Sequence, residues 1–135
     1  MHKTIAYTAF AGGLLLILVP RFILPACEYK GYAAMHCSDT ARAEYIIGML
    51  IMLTGAATFY AKTAGLRILG ALAALALFAV SWCLPDTFGY CQSPRMPCNY
   101  GMVPGIRFID MTGSLIMLAL AVRLGAKHFK KDRHD

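Results

Sequence analysis

The sequence predicts an all-α fold, a transmembrane four-helix bundle with two disulfide-bearing loops outside the membrane. Its 135 residues are 59% apolar and only 15% charged, which is far more apolar than a soluble domain of this length. A helix of roughly 20 residues crosses a hydrocarbon core about 30 Å thick, and the sequence contains four apolar stretches of that length. The chain is too apolar to be disordered, and its basic residues are too dispersed for a nucleic-acid binder.

The four apolar stretches predict one single integral membrane domain, residues 1–135. The stretches cover residues 5–24, 43–61, 65–84 and 106–124. Only residues 62–64 separate the second stretch from the third, which predicts an antiparallel helical hairpin. The other two connections, 25–42 and 85–105, are longer and rich in Pro, Gly and Cys, and we expect them to form the outer loops.

The basic residues predict how the bundle is oriented. Four crossings place both termini on one side of the membrane. Eight Lys and Arg residues fall on that side and five on the other, and after subtraction of the acidic residues the balance is +6 against zero. We therefore expect an inner (cytoplasmic) membrane protein with both termini cytoplasmic. The basic run at 127–133 predicts an anchor at anionic headgroups.

A signal peptide is the alternative interpretation of the first apolar stretch. Lys3, the apolar run after it and the stretch from Leu24 to Cys27 are similar to a signal peptide that ends at a lipid-attachment cysteine. Arg21 interrupts the apolar run and Pro25 is unfavourable near a cleavage site. The sequence therefore favours a first membrane helix.

All five cysteines fall on the predicted outer side. Cys27 and Cys37 belong to the first outer loop and Cys91 and Cys98 to the second, which predicts two disulfides in an oxidising compartment. Four cysteines allow three pairings. We favour Cys27 with Cys37 and Cys91 with Cys98, because each pair closes a short loop, but a bridge between the loops stays open. Cys83, near the outer end of the third helix, is interpreted as a buried small apolar residue.

Several short motifs carry a resemblance to a known family. They are Cys27-Glu28, then Met35-His36-Cys37-Ser38-Asp39-Thr40-Ala41-Arg42-Ala43-Glu44, Gly48, Cys91 and Met96-Pro97-Cys98. In this order and between four apolar segments they resemble domain-of-unknown-function family 4418, small bacterial and archaeal membrane proteins, over nearly the whole chain. Family members carry His directly after the first M-x-C cysteine, where this chain has Ser38. The resemblance implies a membrane fold and brings no activity.

Charged residues at the outer ends of the second and fourth helices are the first candidate site. An ionisable side chain at the centre of a membrane helix costs about 3 kcal/mol on insertion scales, so it usually faces protein or water and often has a partner. Arg107 and Asp110 are three residues apart on one face. Arg42 and Glu44 open the second helix, where a carboxylate favours the helix N-terminus. We expect these four residues to form a network between the two helices. The alternative is interfacial anchors and an ordinary ion pair.

Thiol chemistry and metal binding are the two alternative uses of the outer loops. Redox enzymes of this topology use a low-pKa cysteine, usually in C-x-x-C, and this chain has no such motif. The thioether, imidazole and thiolate groups predicted to lie above the bundle suit Cu(I) or haem iron, and the weak candidate ligands are Met35, His36, Cys37, Met96, Cys98 and Met102.

The sequence therefore favours an accessory or binding subunit of a larger membrane assembly over an enzyme. P-loop, dinucleotide-binding and hydrolase motifs are absent from it. The alternatives are a quinone-linked thiol–disulfide oxidoreductase and a copper or haem-iron handling membrane protein. We assign no cofactor. The expected partners are the lipid bilayer and a membrane or extracytoplasmic protein, with a homo-oligomer left open and nucleic acid excluded.

Overall fold

The computed structural model describes residues 2–23, 36–89, 95 and 98–132, and within them it contains four long helices in one bundle. Two π-helical turns, Val19–Ile23 and Cys98–Met102, follow the first helix and precede the fourth. The helices are α1 (His2–Leu18), α2 (His36–Tyr60), α3 (Ala64–Phe88) and α4 (Val103–Asp132). The prediction of an all-α four-helix bundle is confirmed.

Each helix is long and apolar enough to cross a membrane. The candidate spans are Lys3–Ile23, Ser38–Tyr60, Ala64–Phe88 and Asn99–Lys127. The helices alternate in direction. We call the end where α2 and α4 begin the loop end, and the opposite end, with the turn at 61–63, the terminal end.

Each helix extends beyond its predicted apolar stretch at one end or at both. α2 begins at His36, seven residues before the predicted start, and α4 runs on to Asp132. Hydropathy detects only the apolar part of a helix. The polar turn that opens α2 is helical as well, with Asp39 in the first turn, where a negative charge favours the positive end of the helix dipole. α3 continues through the buried Pro85 to Phe88. As a result Glu44 lies more than two turns inside α2.

Helices α1 and α2 pack closely because glycines face each other across their contact. A Cβ atom on Gly13 would lie 2.5 Å from the carbonyl oxygen of Gly48, and one on Gly48 would lie 2.8 Å from the carbonyl oxygen of Gly13. Small residues of this kind allow membrane helices to approach closely. α2 connects to α3 through the short turn, where the Thr63 side chain caps α3 by accepting a hydrogen bond from Leu66 N.

Phe78 of α3 lies at the centre of the apolar core. Its side chain has no exposed area, and its ring lies against Gly12 of α1 and Gly113 of α4. Other fully buried apolar side chains surround it along the bundle axis, among them Ile5, Leu16, Ile51, Ile106 and Met117. The core also contains polar side chains at its loop-end half, and these form the candidate site.

The close contact of α1 with α2 predicts a size limit at Gly13. We expect Gly13→Ala to lower stability by about 1–3 kcal/mol, because the added methyl overlaps the Gly48 carbonyl. The matched control is Gly125→Ala in α4, where a Cβ atom meets nothing within 4 Å. Thermal unfolding in detergent, followed by far-ultraviolet circular dichroism, measures both variants. Equal unfolding temperatures would contradict the close contact.

Candidate functional site

A serine from α3 lies between two buried carboxyl groups from α2 and α4. Ser81 Oγ is 2.7 Å from Glu44 Oε2 and 2.9 Å from Asp110 Oδ2. All three side chains have no exposed area. We call these three residues the carboxyl cluster. Each is seven or eight residues from the loop end of its helix, a depth of about 10–12 Å.

The helical repeat explains why these polar residues face inward. Glu44 lies on α2 in the same buried stripe as Thr40 and Ile51, and Asp110 lies on α4 in line with Ile106 and Met117. Stripes with a three- or four-residue spacing face the core of a helical bundle. Ser81 stands one turn after Phe78 on the buried face of α3. The apolar neighbours in each stripe therefore fix the polar residues in the interior.

Hydrogen counting sets a minimum for the protonation of the carboxyl cluster. A serine hydroxyl has one hydrogen to donate, and an ionised carboxylate can only accept. With both carboxyl groups ionised, one of the two short oxygen–oxygen contacts would lack a hydrogen. Both contacts are hydrogen bonds when one carboxyl group is protonated and donates to Ser81 Oγ, while the hydroxyl donates to the other carboxylate. One proton held by Glu44 and Asp110 together is therefore the smallest number that satisfies both contacts.

The second oxygen of each carboxyl group is also buried. Among the residues that the structure describes, Glu44 Oε1 and Asp110 Oδ1 have no hydrogen-bond partner. A buried charge without a cation or a full set of hydrogen bonds costs several kcal/mol. Holding a proton removes one of the two negative charges and so lowers that cost.

Arg107 lies near the loop end, above the carboxyl cluster, and pairs with a residue of α3. Its Nη2 atom donates to Asp86 Oδ1 at 2.7 Å, and its guanidinium carbon is 5.7 Å from the centre of the Trp82 ring. The Arg107 side chain is 33% exposed and that of Asp86 is 59% exposed. Solvent weakens such a pair, so its contribution to stability is small. The Nε atom of Arg107 is buried without a partner among the described residues.

The four predicted network residues occupy different surroundings. Glu44 and Asp110 share one site, joined through Ser81, which the sequence analysis did not select. Arg107 bonds to Asp86 of α3, and Arg42 is exposed on α2. A serine in an apolar helix gives little sequence signal, and its position opposite two acidic residues depends on how three helices pack.

The loop-end halves of α2 and α3 are also joined through the backbone. Thr40 Oγ1, one turn above Glu44, donates to the carbonyl oxygen of Gly89 at 2.9 Å. Gly89 adopts a φ of 87°, which an L side chain rarely adopts, and its own N–H bonds to the Pro85 carbonyl to end α3. This contact holds the loop ends of the two helices together above the carboxyl cluster.

Most of the predicted cysteine and metal sites lie outside the described residues. Cys27, Met35, Cys91 and Met96 fall there, as do the side chains of His36, Cys37 and Cys98, so the predicted disulfides and soft-metal ligands stay predictions. Met102 is buried in the core. Within the described residues, no group of three or more His, Cys, Asp or Glu side chains is arranged to hold a metal ion. Cys83 is free and exposed, so its prediction as a buried residue is wrong.

Comparison with known proteins identifies a family for this chain. A family profile described as "Domain of unknown function (DUF4418)" matches residues 9–124. A search of curated proteins and a search of solved structures each found no match. The matched region contains all three residues of the carboxyl cluster.

Removing the bridging hydroxyl tests the carboxyl cluster. We expect Ser81→Ala to lower stability by about 1–3 kcal/mol, because two buried carboxyl groups then lose their shared partner. The control is Thr54→Ala, which removes a half-buried hydroxyl that bonds only within its own helix, to the Ile51 carbonyl. Unfolding in mixed detergent micelles compares the two. A Ser81→Ala protein as stable as the control would count against the bridge.

Proposed function

Since the chain belongs to the DUF4418 family, whose description records no function, we propose that it is an accessory or binding subunit of a larger membrane assembly, in whose bundle the carboxyl cluster holds one proton. The single observation behind this proposal is the position of Ser81 Oγ between two fully buried carboxyl groups. An ionisable side chain within the membrane raises the free energy of insertion. The few that occur there usually have a functional role.

The carboxyl cluster supports a subunit role because three helices contribute to it. Glu44, Ser81 and Asp110 come from α2, α3 and α4. The affinity of the cluster for the proton therefore depends on how these helices are placed relative to one another. A partner that prefers one placement changes the affinity for the proton. By thermodynamic linkage, the proton changes the affinity for the partner to the same extent.

The outward-facing side chains support an integral membrane protein. The zone between the bundle ends exposes mainly aliphatic side chains, among them Leu50, Leu53, Leu72 and Leu115. Exposed aromatic side chains gather toward the two ends, as in the belts that aromatic residues form at membrane interfaces. They are Tyr7, Phe10, Phe59, Tyr60 and Phe129 toward the terminal end, and Phe22, Tyr45, Trp82, Phe88, Tyr100 and Phe108 toward the loop end.

We place the terminal end of the bundle in the cytoplasm and the bundle itself in the cytoplasmic membrane. Exposed basic side chains gather at this end, among them Lys3, Lys62, Arg123, Lys127 and Lys130. Lys and Arg near the ends of membrane helices favour the cytoplasmic side. The carboxyl cluster then lies in the outer half of the membrane.

This orientation predicts the accessibility of both termini. An epitope tag on either end of the full chain is expected to resist protease in intact spheroplasts and to be cleaved in inverted membrane vesicles. A tag inserted at Arg95, in the second predicted outer loop, serves as the matched control and is expected to behave in the opposite way. Cleavage of a terminal tag in intact spheroplasts would overturn the orientation.

The loop end is the surface that we assign to the partner. The exposed Asp86 and the partly exposed Arg107 lie there, directly above the carboxyl cluster. The two long connections also begin and end at this end of the bundle, and their predicted disulfides would stiffen them into an outer cap. A partner on this surface would contact the parts of the bundle nearest the proton.

The subunit role predicts a second protein in native membranes. Extraction of the tagged full chain in polymer-bounded lipid discs is expected to recover another membrane or extracytoplasmic protein in fixed proportion. The recovered amount should fall at least about fivefold for the double variant Glu44→Gln/Asp110→Asn, the lower end of typical linkage effects, and should not fall for Thr54→Ala. Discs that contain this chain alone would overturn the subunit role. Equal recovery with the double variant would separate the partner from the carboxyl cluster.

A further inference from the structure

The carboxyl cluster has apolar surroundings on its terminal-end side. One turn below Ser81 lies Phe78, and one turn below Asp110 lies Gly113, against which the Phe78 ring packs. The same ring contacts Gly12, so it fills the space between α1 and α4. Among the described residues, the nearest charged side chain on this side of α4 is Arg123, thirteen residues or about 20 Å from Asp110.

Polar groups adjoin the carboxyl cluster on its loop-end side. Thr40 stands one turn above Glu44 on α2 and bonds to the Gly89 carbonyl. Arg107 stands one turn above Asp110 on α4, with its guanidinium on Asp86 at the surface. Polar groups therefore accompany the buried Leu84 and Ile106 on the loop-end side of the carboxyl pair, whereas an aromatic ring closes the terminal-end side.

Arg107 and Asp110 each retain an unused polar atom. Arg107 Nε and Asp110 Oδ1 are both buried, and neither has a hydrogen-bond partner among the described residues. Residues three apart on a helix lie on the same face and their side chains can meet. Arg107 therefore has two carboxyl groups available to it, Asp86 outside and Asp110 inside.

We infer that the carboxyl pair exchanges its proton with the loop end alone and that Arg107 is the gate. This inference rests on the proposed function, because it assumes the shared proton. With the proton bound, Arg107 pairs with Asp86. When the carboxyl O–H bond breaks, the proton passes to water at the loop end, and the guanidinium, charged throughout, turns from Asp86 to the Asp110 carboxylate. The site thus reports acidity on one side of the membrane.

Other charged groups near the loop end do not replace Arg107 in this role. Arg21, in the π-helical turn after α1, is exposed, and from α2, Asp39 and Arg42 are exposed. From α3, Asp86 bonds to Arg107, and Arg95 is exposed before α4. Arg107 is the cation that shares a helix face with a member of the carboxyl pair.

The test measures the protonated carboxyl group in the full chain by infrared spectroscopy. Protein is reconstituted in sealed vesicles of known orientation, and the carboxyl C=O band is identified by its loss in the Glu44→Gln/Asp110→Asn double variant. We expect the band to follow the pH on the loop-end side and to ignore the pH on the other side.

Two variants that break the same ion pair should shift the midpoint of this titration in opposite directions. Arg107→Gln removes the cation, so the proton is held to a pH about one unit higher. Asp86→Asn, a change at an exposed residue, releases Arg107 to Asp110, so the proton is lost at a pH about one unit lower. Loss of either charge shifts the midpoint in these directions by Coulomb interaction alone, so the decisive variant is Asp86→Asn in the Arg107→Gln background. The gate predicts that Asp86→Asn then has no effect, because its effect is carried by Arg107, whereas a fixed ion pair predicts the same downward shift with or without Arg107.

Each outcome separates the gate from the proposed function. A band that follows the terminal-end pH, or an Asp86→Asn shift that persists in the Arg107→Gln background, overturns the gate and leaves the shared proton in place. No carboxyl band in the wild-type protein at any pH overturns both. Loss of the band on addition of sodium chloride at constant pH would show that a metal cation occupies the site, and it would overturn the proton as ligand.

Discussion

The site depends on a missing hydrogen. The Ser81 hydroxyl can donate one hydrogen bond, but two carboxyl oxygens lie within 3 Å of it. Since no solvent reaches the three side chains, the missing hydrogen comes from within the carboxyl cluster. The proton is therefore part of the packing of α2, α3 and α4. Loss of the proton would therefore change the preferred spacing of these helices.

This polar contact contributes to the association of the helices. Lipid is as apolar as the outward-facing side chains, so the hydrophobic effect gives membrane helices little reason to associate. Close packing and interhelical hydrogen bonds take over that role. In this chain Gly13 and Gly48 allow the close packing of α1 with α2, and interhelical hydrogen bonds join α2, α3 and α4. Helix α2 thereby takes part in both kinds of contact, one set by shape and the other titratable.

Features that depend on residues close together in the sequence were predictable, and features that depend on contacts between helices were less so. Apolar length is local, so four helices were predictable, and the cost of charge in a membrane identified Glu44 and Asp110 as unusual. Helix ends were less predictable, because the polar first turns of α2 are helical without being apolar. Ser81 and Asp86 were not selected, because their importance comes from neighbours on other helices. Arg107 and Asp110 are spaced for a pair, yet Arg107 contacts Asp86, a residue twenty-one positions earlier.

The surroundings of the carboxyl cluster also bear on the kind of protein this is. A path for ions or protons through a bundle needs polar groups on both sides of an intramembrane acid, as in the carboxylate chains of pumps. Here Phe78, wedged between Gly12 and Gly113, occupies one side, and polar groups adjoin the other. An acid with polar neighbours on one side alone can bind and release a proton without carrying it across. Such a site suits a subunit that changes its packing in response to one compartment better than a carrier between two.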